Sequence, residues 1–488
     1  MAAIRLMFDK VLIANRGEIA RRVIRTLDDL GIGSVAVYAA ADRHAPFVRE
    51  AQQAVQIPSY LDIGAIVSAC EQTSAQALHP GYGFLSENPD LARACVAAGV
   101  TFIGPPPEAA ELMGDKLRAR EAAARAGLPL VPSFTVQEAR SATYPLLVKA
   151  VAGGGRGMRV VERPEELDVA LESARREALA GFGDERVFIE RFVPRARHLE
   201  VQVIGDAHGT MLHLGERECS LQRRHQKVME ESPAPVVSPQ LRAELGAEAV
   251  ALARAAGYVN AGTVEFIADF ANPAEHYFVE MNARLQVEHP VTELVTGLDL
   301  VALQLRVAAG EPLALSQDDV ALDGHAIEVR VTAEDAARGF LPAAGRVLAY
   351  ARPDNTDTVR VDDAIEPGTV VDTSYDSLLA KVIAHGADRA QALARLEHAL
   401  AGFTVLGVTT TARYLRGLLL DDAVRAGELD TGLIERRGVP AELIDDQGIA
   451  IAAAMLILAE RAADGDQDPF ARVDGWRLGG VRAASHWR

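Results

Sequence analysis

The first hundred residues alternate short apolar runs with stretches of helical periodicity, and this alternation restricts the fold more than any other feature. Val11–Ala14 is a short apolar run, and apolar residues then recur at helical spacing from Ile19 onward. Gly31 and Gly33 end that helix, and Ser34–Tyr38 is the next apolar run. Because the pattern repeats to about residue 104, it predicts a parallel sheet with helices on its faces.

The turn between the first strand and the first helix has two interpretations. Its sequence, Asn15-Arg16-Gly17, lacks the G-x-G-x-x-G pattern of dinucleotide-binding turns. Phosphate binding and a plain tight turn from strand to helix are equally compatible with these residues.

The rest of the chain divides into further segments. A length of 488 residues exceeds one compact core, so several domains are expected. The glycine-proline run 104–107 predicts a boundary, and an alanine- and arginine-rich helix follows over about 115–126. The segment from about 325 to 435 mixes short strands with helices and is predicted to be an accessory subdomain. Strands are predicted between these points at Leu146–Ala150, at Met158–Val161 and near 199–204, 263–267 and 277–282.

Charge and cysteine content exclude several classes of partner. The formal net charge of −18 argues against a nucleic-acid surface or an anionic membrane as the main partner. The three cysteines are far apart and indicate a reducing compartment without a zinc site. The longest apolar stretch, Gly448–Ala459, is too short to span a bilayer and is predicted to be a buried helix. Since no secretory signal is present, we expect a cytoplasmic protein.

Lysine is rare in this chain and therefore informative. The sequence holds 45 arginines and five lysines, at Lys10, Lys116, Lys149, Lys227 and Lys381. A protein that uses arginine at almost every cationic position keeps lysine where a compact ammonium is needed. Three of them lie among other polar motifs and are predicted to be functional. No special role is predicted for Lys10 and Lys381.

A glycine-rich loop, Gly153-Gly154-Gly155-Arg156-Gly157, lies between two predicted strands. Consecutive glycines allow backbone N–H groups to approach and hold phosphates. The loop is not a Walker P-loop, because it has no G-x-x-x-x-G-K-[ST] pattern. Lys149 precedes it on a strand, and Lys116 lies one element earlier. The two lysines favour a mobile lid over phosphates instead of an ordinary hairpin.

Polar and apolar side chains alternate between Val279 and Glu288. An extended chain places all the polar ones on one side, which predicts a binding site instead of a merely solvated strand. In the neighbouring strand Thr263–Ile267, the carboxylate of Glu265 can lie beside Glu280 or Asn282. Two carboxylates and an amide oxygen are hard ligands suited to Mg²⁺ that bridges nucleotide phosphates. The five alternating polar positions are Glu280, Asn282, Arg284, Gln286 and Glu288.

The run from Gln222 to Lys227 adds basic and amide groups, with His198 upstream. Such a run is usually a solvated face. In an acidic protein, histidines beside a rare lysine instead indicate an anion site near the ATP phosphates.

Four stretches carry a resemblance to a known family. They are I-A-N-R-G-E-I-A at 13–20, H-P-G-Y-G-F-L-S-E-N at 79–88, E-C-S-L-Q-R-R-H-Q-K at 218–227 and E-M-N-A-R-L-Q-V-E-H-P at 280–290. Over essentially residues 8 to 435, the chain resembles the biotin carboxylase component of biotin-dependent carboxylases. The resemblance implies an ATP-grasp fold of mixed α/β and α+β class. Its implied parts are an N-terminal Rossmann-like domain at 1–115, an ATP-grasp domain at 116–320 with a mobile lid subdomain at about 131–193, a C-terminal biotin carboxylase domain at 321–436 and the start of a linker or interaction region at 437–488.

The resemblance also implies a role for each site residue. Nucleotide binding falls to Lys116, Lys149, Gly154, Gly155, Glu190, Val193, His198, Gln222 and His225. Mg²⁺ or Mn²⁺ would be held by Glu265, Glu280 and Asn282. Bicarbonate would be bound by Lys227, Arg284 and the backbone at Gln286 and Val287. Among the catalytic residues Glu288, Arg284 and Lys227, Glu288 would be the general base and Arg284 would stabilise the biotin enolate, while Arg330 would contact biotin.

The implied reaction is the ATP-dependent carboxylation of biotin by bicarbonate through carboxyphosphate, the first half-reaction of an acyl-CoA carboxylase. No biotin-accepting A-M-K-M hairpin is present, so biotin would arrive as a substrate on a separate carrier domain or protein. A carboxyltransferase β subunit is the other expected partner, and homodimers are common in the family. The stretches V-L-G-V-T-T at 405–410, D-T-G-L-I-E-R at 430–436 and D-G-W-R-L at 474–478 resemble acyl-CoA carboxylase α subunits. We therefore expect either a fragment whose carrier has been cut away or a separately encoded carrier.

Two alternatives remain at this level. The family's lid usually carries four or five consecutive glycines, whereas this chain has three before Arg156. A nucleotide-binding subunit with impaired turnover is thus one alternative. The other is an ATP-grasp ligase that joins a carboxylate to an amine, although Glu288 with Arg284 and Arg330 argues against it.

Overall fold

The computed structural model describes residues 8–151 and 158–439. Its first unit contains strands β1 to β5, Lys10–Ile13, Gly33–Tyr38, Gln53–Gln56, Ala77–His79 and Thr101–Phe102, and helices α1 to α5, Gly17–Asp29, Pro46–Glu50, Ile63–Thr73, Pro89–Ala97 and Pro107–Gly114. The strands form a parallel sheet in the order β3–β2–β1–β4–β5, as the alternating pattern predicts. Successive residues of β1 enter two different apolar cores, so both faces of the sheet are covered.

The first turn of the chain is a tight turn from strand to helix. Gly17 adopts a φ of 69°, which favours glycine. Arg16 donates two hydrogen bonds to Asp42, at 2.8 and 2.7 Å, and lies over the ring of Tyr375. Its guanidinium is thus already occupied within the protein, which favours the second interpretation of the Asn15-Arg16-Gly17 sequence.

A small unit follows the first. Helix α6, Lys116–Arg125, leads into it and packs in the core of the large sheet. The small unit itself contains helices α7 and α8, Val136–Ala139 and Leu167–Phe182, and strands β6 to β9, Ser133–Phe134, Leu146–Ala150, Arg159–Val161 and Val187–Arg191. The strands form an antiparallel sheet in the order β6–β9–β7–β8. Helix α8 packs its apolar side, with Leu167 and Ala174, against Leu146 and Val148 of β7. The predicted glycine lid, with Gly154 and Gly155, lies outside the described residues.

The remaining chain builds a large antiparallel sheet. Its strands are β10 (Ala196–Gly205), β11 (Met211–Arg223), β12 (Gln226–Ser232), β13 (Asn260–Asp269), β14 (His276–Asn282), β15 (His325–Thr332), β20 (Val359–Asp363) and β22 (Leu378–Gly386). Short strands pair outside this sheet, namely β16 (Glu334–Asp335), β17 (Leu341–Pro342), β18 (Gly345–Arg346), β19 (Ala349–Ala351), β21 (Val370–Val371) and β23 (Thr404–Leu406). The helices are α9 to α15, Pro239–Ala255, His289–Thr296, Leu300–Ala308, Arg389–Ala401, Ala412–Leu419, Asp422–Ala426 and Leu433–Arg437.

The large sheet is continuous across the predicted accessory segment. Its strand order is β14–β13–β10–β11–β12–β15–β22–β20. Strand β15 pairs with β12 on one side, from Met229↔Val329 to Ser232↔Ala326, and with β22 on the other. The segment from 325 onward therefore shares its main sheet with the preceding strands, and its assignment as a subdomain stays a prediction. It completes the sheet that carries the site.

The membrane prediction can be examined only in the described part of the chain. Across residues 8–151 and 158–439, no helix is long and apolar enough to cross a bilayer. The predicted buried helix at Gly448–Ala459 lies outside these residues.

Candidate functional site

A cavity of about 940 Å³ lies where the three units meet. Tyr82 and Glu87 contribute from the first unit, β7 and β9 from the small unit, and the large sheet supplies the floor. All predicted site residues within the described ranges line this one cavity: Lys116, Lys149, Glu190, Val193, His198, Gln222, His225, Lys227, Glu265, Glu280, Asn282, Arg284, Gln286, Val287, Glu288 and Arg330.

The ammonium group of Lys227 stands among three carboxylates. Its Nζ donates to Glu200 at 2.6 Å, to Glu265 at 3.0 Å and to Glu288 at 2.6 Å. Burial lowers the pKa of Lys227, but the three carboxylates outweigh burial and hold that pKa well above its usual value. The lysine is therefore a fixed positive charge inside the cavity.

The carboxylate of Glu288 is fully buried between two cations. Its Oε1 accepts from Lys227 at 2.6 Å, and its Oε2 accepts from Arg330 Nη2 at 2.8 Å. Burial raises the pKa of Glu288, but the charges of Lys227 and Arg330 bring it below its usual value. This carboxylate is thus ionised at neutral pH and can accept a proton.

The guanidinium of Arg330 is also paired with a second carboxylate, that of Glu230. Its Nε donates to Glu230 at 2.6 Å, while Nη2 reaches Glu288. Glu230 is fully buried on β12, next to the strand that carries the arginine. The guanidinium is therefore oriented at the cavity wall by two carboxylates.

The predicted metal ligands lie on the paired strands β13 and β14. Glu265 and Glu280 are direct cross-strand partners, which confirms one of the two predicted registers, and Asn282 pairs with Thr263. Asn282 donates to Glu265 at 2.9 Å, and Glu280 lies 3.3 Å from the Lys116 ammonium. Two carboxylates and an amide on adjacent strands are hard oxygen donors of the kind that Mg²⁺ prefers. The residues fit such an ion, and their role as its ligands stays a prediction.

A second group of potential ligands lies beside the first. His198, Glu200 and Glu265 place one ligand atom each within 4.8 Å of one another. Burial lowers the pKa of His198, but Glu265 and Glu200 outweigh burial and raise it to about 9. Lys227 donates to both carboxylates, and Glu265 already belongs to the first group. We assign no metal to this group.

The extended conformation predicted for the whole of 279–288 is wrong. Strand β14 ends at Asn282, and residues 283–288 form a loop that leads into α10 at His289. Pro290 explains the change, because proline fits the first turn of a helix and cannot donate within a sheet. The alternating pattern in the sequence thus extends to Glu288, six residues beyond the end of the strand at Asn282.

The loop nevertheless brings its polar side chains to the cavity. Arg284 Nη1 donates to Gln286 Oε1 at 2.7 Å, and its Nη2 donates to Asn282 Oδ1 at 3.0 Å. Arg284 Nε also lies 3.4 Å from Glu87 of the first unit. The guanidinium is therefore fixed at a side wall, where it can stabilise a negative charge that forms in the cavity.

Of the predicted nucleotide residues, Lys149 and Glu190 lie on the small unit, whereas His198 and Gln222 lie on the large sheet. Lys149 on β7 lies 2.6 Å from Glu190 on β9, and Arg120 contacts the same carboxylate. Gln222 Nε2 contacts His198 Nδ1 at 2.9 Å. The ammonium groups of Lys149 and Lys116 both line the cavity, and Lys149 lies shortly before the glycine loop in sequence.

Several buried charges around the cavity escape sequence analysis. Arg217 is wholly buried and donates to Glu200 at 2.5 Å, which holds that carboxylate against Lys227. Glu230 and Lys381 are also buried beside the site. The sequence does carry a signal for Arg217 and Glu200, because both are charged residues that interrupt long apolar strands. The same signal exists for Lys381, which interrupts the apolar strand β22 and is one of the five lysines.

A large antiparallel sheet, a small sheet facing it and a cation-lined cavity between them define an ATP-grasp protein, a class of ATP-dependent ligases. Residues 7–110 match the family described as Biotin carboxylase, N-terminal domain. Residues 115–316 match Carbamoyl-phosphate synthase L chain, ATP binding domain. Residues 328–436 match Biotin carboxylase C-terminal domain. The chain belongs to the biotin carboxylase family.

Individual relatives agree with this assignment. Biotin carboxylase 1 of Bacillus subtilis is 45% identical over 445 residues, which cover 88% of this chain and 98% of that protein. The mitochondrial methylcrotonoyl-CoA carboxylase subunit alpha of Oryza sativa is 49% identical over 444 residues, or 88% of this chain and 60% of the subunit. The chain thus spans about 60% of the length of that curated relative.

Solved structures show the same fold. The biotin carboxylase–β,γ-ATP complex from Campylobacter jejuni superposes with a TM-score of 0.85 at 40% identity and covers 88% of this chain and 99% of that one. The biotin carboxylase domain dimer of Hydrogenobacter thermophilus 2-oxoglutarate carboxylase, in complex with MgADP, ADP and bicarbonate, gives 0.86 at 42% identity. That alignment covers 90% of this chain and 99% of the other.

Proposed function

We propose that this chain carboxylates biotin with bicarbonate at the expense of ATP. One observation carries the proposal: the ionised carboxylate of Glu288 is held between Lys227 and Arg330 in the cavity that Arg284 also lines. This arrangement offers a base among cations, as an anionic substrate that must lose a proton requires. The names of the relatives support the same reaction, and two of the structures contain a nucleotide or bicarbonate.

The proposed sequence begins with bicarbonate beside Lys227, Arg284 and the backbone of Gln286 and Val287. Glu288 takes the proton of bicarbonate, whose oxygen then attacks the γ-phosphate of ATP to form carboxyphosphate and ADP. Lys149 and Lys116 hold the phosphates, and Mg²⁺ bound by the Glu265 group would neutralise their charge.

Carboxyphosphate then gives CO₂ and phosphate inside the cavity. The phosphate removes the proton from the ureido nitrogen of biotin, and that nitrogen attacks CO₂. Arg284 stabilises the enolate oxygen of biotin, an electrostatic task for a fixed cation in a water-poor site. Arg330, oriented by Glu230 and Glu288, contacts the biotin ring system.

The partners follow from the same reaction. The match covers 98% of Biotin carboxylase 1 of Bacillus subtilis and 60% of the methylcrotonoyl-CoA carboxylase subunit alpha of Oryza sativa. We therefore propose a biotin carrier, as a domain or a protein, and a carboxyltransferase β subunit as partners, and a homodimer as one assembly. The cytoplasmic location predicted from the sequence stays a prediction.

The decisive experiment measures phosphate release from Mg·ATP with and without bicarbonate, and with and without free biotin. Release that requires bicarbonate and increases with biotin is the expected result. Release that requires an amine nucleophile and ignores biotin would favour a carboxylate–amine ligase. Tight nucleotide binding without any release would favour the subunit with impaired turnover.

A further inference from the structure

Lys381 is a wholly buried lysine behind the wall of the cavity. It lies on β22, and its Nζ donates to the backbone carbonyl of Val287 at 2.9 Å. The same ammonium lies 3.2 Å from Glu18 and 3.8 Å from Asp362. A wholly buried lysine is rare unless it is paired, so this position is built around the ammonium group.

Glu18, the carboxylate beside Lys381, also contacts a residue that lines the cavity. The hydroxyl of Tyr82 donates to Oε1 of Glu18, the same oxygen that faces Lys381. Glu18 is buried on α1 of the first unit, while Tyr82 lines the cavity. A chain of polar contacts thus runs from Tyr82 through Glu18 and Lys381 to the backbone of Val287.

This series of polar contacts ends at the peptide group that directly precedes the side chain of Glu288. The carbonyl of Val287 belongs to the peptide group whose N–H is that of Glu288. Residues 283–288 form neither strand nor helix, so no regular hydrogen-bond ladder fixes the orientation of that peptide group. Lys381 holds its carbonyl on one side, while Lys227 and Arg330 hold the Glu288 carboxylate on the other.

We propose that Lys381 is a positioning residue that fixes the peptide between Val287 and Glu288 and so presents the bicarbonate-binding backbone and the base at the correct angle. The inference rests on the proposed function, because that function assigns bicarbonate binding and the general base to the loop 283–288. Lys381 does not touch the reacting groups and acts through the carbonyl of Val287. Its anchor, Glu18, belongs to the first unit, so the position of the loop depends on the packing of that unit against the large sheet.

The test compares Lys381→Met with a matched control, Lys10→Met. Lys10 also donates to a backbone carbonyl, that of Thr73 at 2.7 Å, but it lies away from the cavity. In the first variant we expect the KM for bicarbonate to rise about tenfold or more while the KM for ATP stays within about twofold. The control should leave both constants unchanged. A merely structural role would move both constants together or neither.

A conservative variant and a second residue make the result decisive. Lys381→Arg retains a donor and should recover part of the bicarbonate KM. If Lys381→Met does not fold, Glu18→Gln replaces it, because this change removes the anchor charge and keeps the side-chain shape. An unchanged bicarbonate KM in the folded variant, or parallel losses for ATP and bicarbonate, would overturn the inference. Failure of the proposed function is distinct, since the unmodified chain would then show no bicarbonate-dependent phosphate release.

Discussion

Replacing Glu288 with glutamine tests the proposed base directly. Its two oxygens accept hydrogen bonds from Lys227 at 2.6 Å and from Arg330 at 2.8 Å. The amide group retains one acceptor, but its NH₂ must face the other cation, which loses a charge-assisted contact of about 1.5–3 kcal/mol. The amide also accepts no proton from bicarbonate. Loss of a general base slows a reaction by about 10²–10⁴, equivalent to roughly 3–5 kcal/mol in the barrier.

The assay is bicarbonate-dependent phosphate release at saturating Mg·ATP, together with nucleotide affinity measured by calorimetry. We expect turnover to fall by about 10²–10⁴ while the Kd for ATP changes by less than about threefold, because no predicted nucleotide residue contacts Glu288. Glu216→Gln is the matched control. Glu216 is also buried and accepts from Arg242 at 2.6 and 2.8 Å, but it does not line the cavity. Turnover of Glu288→Gln within about threefold of the unmodified chain would refute Glu288 as the base.

Three further predictions follow from the same structure. Arg284→Ala should lower biotin-dependent turnover by about 10²-fold or more at nearly constant ATP affinity, whereas a pure binding defect would remove its role at the enolate. Glu265→Gln should raise the Mg²⁺ concentration for half-maximal activity by about tenfold, and an unchanged Mg²⁺ requirement would exclude this residue as a ligand. Burial lowers the pKa of His79 from 6.5 to about 4, so neutral His79 stabilises the fold fully above pH 6.5. About 3 kcal/mol of that contribution is lost as the pH falls from 6.5 to 4. Urea unfolding as a function of pH should show this loss and its reduction in His79→Gln, and parallel pH profiles of the two proteins would contradict it.

The sequence predicts part of the candidate site through local patterns, whereas Glu190, Val193 and Arg330 follow only from the family resemblance. The strand pair at Glu265 and Glu280 follows from period-two alternation and a short turn, and the structure has that register. The rare lysines Lys116, Lys149 and Lys227 all line the cavity, since a compact ammonium is needed beside phosphates or carboxylates. These inferences depend only on neighbours along the chain.

The errors arise where distant residues decide the structure. Alternation beyond Asn282 mimics a strand, but β14 ends at Asn282 and a loop leads to the helix that starts at His289. The sequence also gives no sign that Lys381 contacts Val287, 94 positions away, and the prediction that this lysine has no special role stays a prediction. Its other partner, Glu18, lies near the opposite end of the chain. Sequence periodicity cannot predict such contacts, because they form only when distant strands and helices pack together.

The continuity of the large sheet also decides what can be exchanged between proteins. A chain cut near residue 320 would lose β15, and the edge of β12 from Met229 to Ser232 would be left without its hydrogen-bonding partners. Two buried carboxylates on that edge would lose the cations that pair with them, since Glu230 contacts Arg330 and Glu231 contacts Arg389. An unpaired edge of this kind recruits other chains and promotes aggregation. A transfer of the nucleotide-binding part to another protein must therefore include β15 and the arginines that pair with these carboxylates.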